Sequence, residues 1–171
     1  EAGSEPEKNI LAHVRFGRSA SAALPPAVRT AFVERFGIPL VETMGINETA
    51  APILSNPLNP KAHRIGSPGK SCGNEVRIAD ERSTDLESGS EGEIQIRGHN
   101  VMKGYLKDPE KTREAFTRDG WYRTGDLGQM DQDGYVFVTG RIKELIIKGG
   151  GNIAPREIDD VLYQFPGVRE A

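Results

Sequence analysis

Residues 120–128 read Gly-Trp-Tyr-Arg-Thr-Gly-Asp-Leu-Gly, and residues 140–151 read Gly-Arg-Ile-Lys-Glu-Leu-Ile-Ile-Lys-Gly-Gly-Gly. Between them Asp131, Gln132, Asp133 and Gly134 form the tip of a hairpin that leads into a strand at 135–139. The pattern sets an acceptor, Asp126, and a donor, Arg141, at the edges of one hairpin. A short apolar strand at 144–148 and a glycine turn at 149–151 follow.

Working back from the hairpin, Val76 and Ile78 alternate with charged residues, and so do Ile94 and Ile96, with a polar turn at 80–89 between them. Period two predicts half-buried strands of an antiparallel sheet. Asp108 and Pro109 then open a helix expected to run through Arg118, with Thr112, Ala115 and Phe116 on its inner side.

Nearer the start the pattern changes. Alternation over 10–16 predicts a short strand, followed by small residues at 18–24 that allow a close approach of ligand or backbone. Pro25 and Pro26 start a helix whose Val28, Phe32 and Phe36 recur at i, i+4 and i+8, which predicts one buried stripe ending at Gly37. A buried strand at 38–41 delivers the loop 42–49, and loops at the carboxyl ends of strands are where α/β folds collect ligands. At the far end, 155–165 is expected to form a helix that buries Ile158, Val161, Leu162 and Phe165.

Two apparent ligand motifs fail on chemistry. Gly69-Lys70-Ser71 echoes the end of a phosphate-binding loop, but the first glycine of that pattern would fall on Arg64, and Pro68 has no N–H to offer. The acidic tip at 131–134 is not a calcium loop, because the twelfth position falls on Gly140, where a bidentate glutamate is needed.

Composition excludes several classes. The 171 residues carry a net charge of -3 with no basic block, which argues against nucleic acid. No apolar run approaches the roughly 18 to 20 residues of a membrane helix, and the acidic start is unlike a signal peptide. A single cysteine, Cys72, fits a reducing cytoplasm.

Four segments in order and spacing carry a resemblance: 19–24, 42–48, 92–109 (Gly-Glu-Ile-Gln-Ile-Arg-Gly, then Asn-Val-Met-Lys-Gly-Tyr) and 121–155. Together they resemble the adenylate-forming superfamily, in particular its acyl-CoA synthetases. The resemblance implies an α+β chain in three parts. Residues 1–50 would end the α/β part of a large N-terminal domain, 51–142 would form its β-rich, distorted barrel-like subdomain, and 143–171 would be the hinge and start of a small C-terminal domain. The family's phosphate loop would lie upstream of Glu1 and its catalytic lysine downstream of Ala171, so the segment alone would be inactive. An adenylation domain serving a carrier protein and a non-catalytic binding module are the alternatives.

The family activates a carboxylic acid with ATP and passes the acyl group to coenzyme A. On that pattern Asp126 would take the ribose hydroxyls with its two acceptor oxygens and Arg141 would approach as a permanent donor. Read without the motif, the pair is a surface salt bridge across the hairpin. Glu48 would hold Mg2+ on the ATP phosphates, a task for a hard oxygen ligand. Asn47 stands where the family has a phosphate-binding threonine, and Met44 where an aromatic stacks on adenine. Gly45, Ile46, Ser21 and Ala22 would line the adenine and acyl site. Lys143 matches the hinge, or else is an exposed lysine. Gly149 and Gly150 match the turn along the pantetheine tunnel, and Asn152 would lie near the acyl-adenylate. Apolar faces parted from their usual neighbours would favour a homodimer.

Overall fold

A computed structural model describes residues 11–22, 24–149, 151–163, 165 and 167–168. Gly17–Ser19 (β1) pairs in parallel with Leu40–Gly45 (β2), and β2 continues antiparallel to Pro52–Ser55 (β3) and Lys70–Ser71 (β4). Glu75–Ala79 (β5), Gly92–Arg97 (β6), Tyr122–Met130 (β7) and Val136–Arg141 (β8) form a second, wholly antiparallel sheet in sequence order. A bridge from Gly69 to Val136 stitches the two sheets together. Ile146–Lys148 (β9) and Gly151–Ile153 (β10) make a separate antiparallel pair. Among the described residues three α-helices accompany them: Pro26–Phe36 (α1), Pro109–Ala115 (α2) and Pro155–Leu162 (α3).

The core lies between the sheets. Ile53 and Leu54 of β3 pack with Ile78, Ile94, Ile96, Tyr122 and Val136 of the antiparallel sheet. Gly128 makes this possible: a Cβ there would lie 2.9 Å from Ile94 Cδ1 and 2.7 Å from the Phe137 carbonyl oxygen.

The alternating strands are deeper than period two suggests. Glu93, Ile94, Gln95 and Ile96 are all buried, so β6 is covered on both faces. Its second face is a polar layer. Gln95 accepts from Arg77 Nε (3.0 Å) and donates to Glu93 (3.1 Å), and Arg123 donates to Glu93 (3.1 Å) and to Ser83 (2.7 Å). Two guanidinium groups, those of Arg77 and Arg97, lie over the Trp121 ring at 4.4 and 4.6 Å. Each guanidinium has its own carboxylate partner, Asp85 for Arg77 and Glu75 for Arg97.

Several expected boundaries move. Residues 11–13 form a turn, and the strand begins at Gly17 and runs into the small-residue stretch, because β2 offers its pairing edge there. Strand β2 continues through Gly45, so Glu42 and Thr43 are buried strand residues and the loop begins at Ile46. Glu42 is accommodated by Arg29 of α1 at 3.0 Å, and Arg29 also reaches His63 at 2.9 Å. Helix α1 ends at Gly37 in the left-handed region (φ +68°), as its sequence requires, but buries no residue fully and leaves Val28 exposed. Helix α2 starts on an Asp108 cap, which accepts from Lys111 N, and stops at Ala115 because Phe116 pairs back to Tyr122. Helix α3 is shorter than expected, and Ile158, Val161, Leu162 and Phe165 are exposed. No helix among the described residues is long and apolar enough to cross a membrane.

Candidate nucleotide site

Strand β7 carries an irregularity that shapes the site. Opposite β6, Arg123 pairs with Gln95 and Leu127 with Glu93, so Thr124, Gly125 and Asp126 together face the single residue Ile94. Gly125 takes φ +73°, a left-handed conformation that glycine adopts without Cβ strain. Thr124 ties the bulge down. Its hydroxyl donates to the Ile94 carbonyl (2.7 Å) and accepts from Asp126 N (3.0 Å).

The bulge presents Asp126 to Arg141, its register partner on β8, with Arg141 Nε donating to Asp126 Oδ1 at 2.7 Å. The cross-hairpin ion pair exists, but only one end of it is on the surface. The carboxylate side chain is 7% exposed and the guanidinium 55%. Burial pushes the Asp126 carboxyl above the ordinary carboxylate range, against the opposing pull of Arg141, and the same pairing raises the guanidinium.

Asp126 and Arg141 open onto a cavity of about 460 Å³. Ser21, Ala22, Met44, Gly45 and Ile46 line it too, so seven of the residues expected to bind nucleotide come together. Thr43, Gly140, Glu144, Pro155 and Asp159 also contribute, none of which the sequence reading gave a ligand-binding role. Ser21 is held at φ +75°, an unusual conformation for a residue with a Cβ, at the cavity wall. The two residues from α3 reach the wall because Ala154, just before that helix, packs on Gly140, where an added Cβ would lie 2.9 Å from Ala154 Cβ.

Asn47 and Glu48 stand in a single 3₁₀ turn, Asn47–Thr49, just after β2, and are not part of the cavity wall. Glu48 is held from two sides. Tyr105 Oη donates to Glu48 Oε1 at 3.0 Å, and the Glu48 carbonyl accepts from Met102 N at 2.7 Å. Tyr105 is also 3.3 Å from the Tyr122 hydroxyl, and burial pushes the Tyr122 phenol far up. Neither tyrosine was a sequence candidate, although Tyr105 lies in the Lys-Gly-Tyr segment. Among the described residues no group of three or more His, Cys, Asp or Glu side chains is arranged to hold a metal.

Lys143 sits in an exposed 3₁₀ turn, Ile142–Glu144, and Gly149 follows β9 at φ +62°. Asn152 belongs to β10, opposite Ile147, so residue 151 is paired strand where a turn was expected. Gly150 lies outside the described residues. Neither Lys143 nor Gly149 lines the cavity.

Residues 1–106 match the family described as AMP-binding enzyme, and the chain belongs to it. A sulfoacetate–CoA ligase from Cupriavidus necator is 56% identical over 98% of this chain and 33% of its own length. An oxalate–CoA ligase from Arabidopsis thaliana is 43% identical over 92% of this chain and 30% of its own. The solved structure of ATP-bound MatB from Rhodopseudomonas palustris superimposes with a TM-score of 0.89 at 38% identity, covering 95% of this chain and 32% of that one. The chain therefore spans about a third of the length of the proteins it matches.

Proposed function

We propose that this chain is the nucleotide-binding part of an AMP-forming acid–thiol ligase, an acyl-CoA synthetase. The observation that carries the reading is a buried carboxylate, Asp126, paired with Arg141 on the wall of a cavity large enough for a nucleoside. The reaction proposed is the one the family resemblance implies: a carboxylate attacks the α-phosphate of ATP, pyrophosphate leaves, and the acyl group of the adenylate then passes to the thiol of coenzyme A with release of AMP.

In this reading Asp126 accepts from the ribose hydroxyls and Arg141 donates to the same sugar. Ser21, Ala22, Met44, Gly45 and Ile46 enclose the base, with the Met44 thioether against its face. Glu48 fits Mg2+ on the phosphates: Tyr105 fixes Oε1, and magnesium on a nucleotide commonly takes only one or two protein carboxylates. Such an ion would offset phosphate charge. Asn47, beside it, donates to the phosphate.

The division into 1–50, 51–142 and 143–171 stands as part of the proposal, with Lys143 as hinge and Gly149, Gly150 and Asn152 serving the thiol-transfer step. A cytoplasmic setting is part of the same proposal. The exposed apolar residues of α3 support self-association as a homodimer. Sulfoacetate and oxalate each carry a second anionic group, which supports a short dianionic acid as the substrate class.

The test is acid-dependent exchange of pyrophosphate into ATP by the full-length protein, over sulfoacetate, oxalate, a fatty acid and an aromatic acid. Exchange with the first two and thioester formation with coenzyme A are expected, whereas no exchange with any acid overturns the reading. This chain alone is expected to give none.

A further inference from the structure

The Thr124–Asp126 bulge is fastened from below by a carboxylate that the ligand reading does not use. Glu93 is buried, its side chain 9% exposed, on the polar face of β6. Its two oxygens have different tasks. Oε2 accepts from Arg123 (3.1 Å) and Gln95 (3.1 Å), while Oε1 accepts from the backbone N–H of Gly125 at 3.2 Å.

That N–H needs a partner for a structural reason. Three residues of β7 face one residue of β6 here, so the ladder cannot supply an acceptor to every amide. Gly125 is also the residue whose left-handed backbone turns the chain towards Asp126. A buried carboxylate bonded to a backbone N–H forms a charge-assisted hydrogen bond, stronger than a neutral one. Arg123 supplies the neutralising charge without which burying the carboxylate would be costly.

We infer that Glu93 is a positioning residue for nucleotide recognition: by holding the Gly125 N–H it fixes the bulge that aims the Asp126 carboxylate at the ribose. The inference rests on the ribose assignment proposed for Asp126. Glu93 itself does not line the cavity, so its effect passes through one backbone hydrogen bond. The side chain needs its length and an acceptor at Oε1; the negative charge chiefly serves Arg123.

The experiment uses the full-length ligase and compares E93D, E93Q and D126A with wild type. The measurements are kcat, thermal midpoint, and KM for ATP and for the ATP analogue that lacks the ribose 3′-hydroxyl. E93D keeps the charge for Arg123 but withdraws the oxygen from Gly125 by one methylene. It is expected to raise the KM for ATP about fivefold with kcat within twofold, and to shrink the preference for ATP over the deoxy analogue. E93Q keeps the reach and is expected to stay within twofold of wild type in KM. D126A separates recognition of the ribose from the positioning of the group that recognises it. If D126A leaves the KM for ATP unchanged, the ribose reading is wrong. If D126A raises it but E93D does not, the ribose reading stands and Glu93 positions nothing. Equal impairment of E93D and E93Q, tracking a shared fall in thermal midpoint, also overturns the inference, because it assigns Glu93 a purely structural part.

Discussion

The antiparallel sheet and the segment beyond Arg141 treat the same residue type in opposite ways. Ile94 and Ile96 in β6 are 0% exposed, while Ile146 and Ile147 in β9 are 43% and 78% exposed. The difference falls inside the candidate site. Asp126 stands on the packed side, fastened by Thr124 and Glu93, and Arg141 stands at the point where burial runs out. An acceptor on a rigid sheet thus faces a donor at the root of a lightly packed segment. A nucleotide held by both groups would bridge the two regions, and its binding would stiffen the looser one.

Core truncation gives the widest contrast. Ile94→Ala is expected to cost about 2–5 kcal/mol in urea denaturation, as for other fully buried aliphatic residues. Ile147→Ala should change stability by less than about 0.5 kcal/mol. Comparable losses at the two positions would mean that β9 is buried in solution.

Next comes the ion pair itself. Charge-assisted hydrogen bonds contribute about 1.5–3 kcal/mol each, so Asp126→Ala in the full-length protein should raise the KM for ATP roughly ten- to a hundredfold. Arg141→Ala should cost less, roughly tenfold at most, because its side chain is 55% exposed and solvent screens it. The reverse order would show that recognition belongs to the exposed segment.

Gly140→Ala probes the joint between the regions. A Cβ there meets Ala154 Cβ at 2.9 Å, an overlap expected to cost about 1 kcal/mol through displacement of the residues around α3. Hydrogen exchange should rise at 151–163 and stay constant in β7. A uniform rise across the sheet would show that the strain is absorbed by β8 instead.

The smallest effect is a slope in pH. Burial raises the Asp126 carboxyl, so between its unfolded value near 3.9 and its folded value the native state holds more protons than the unfolded one. Stability from this group therefore falls as pH rises through that window. Asp126→Asn should remove the slope and melt slightly higher than wild type at neutral pH while binding ATP worse. A lower melting point for Asp126→Asn at pH 7 would mean that the Arg141 pairing outweighs the burial.

The legible parts of the sequence were those where local chemistry and tertiary packing agree. Alternation at 76–78 and 94–96 gave β5 and β6, Asp131–Gly134 gave the turn, and Asp126 and Arg141 could be paired from the hairpin alone. Misreadings arose where pairing overrides pattern. Gly151–Ile153 has no periodicity and becomes β10 only because β9 offers an edge, and Gly17–Ser19 becomes β1 only beside β2. The stripes of α1 and α3 are real in sequence, yet Phe32 and Phe36 of α1 are only half-buried, and Val28 of α1 and the apolar residues of α3 stay exposed. The site's supporting groups were invisible for a related reason. Glu93 and Tyr105 act through partners 32 and 57 residues away in the chain, a proximity that spacing does not encode.

Trp121 is the single tryptophan of the sequence, and it is contacted by the guanidinium groups of Arg77 and Arg97 on the far side of the sheet from the core. These 171 residues thus carry one indole probe, and it belongs to the rigid region. In this segment by itself, its emission will follow the melting of the sheet. Because Trp121 lies in the same stretch as the bulge but outside the cavity wall, a change in that emission on adding nucleotide would be a signal carried along β7 from Asp126.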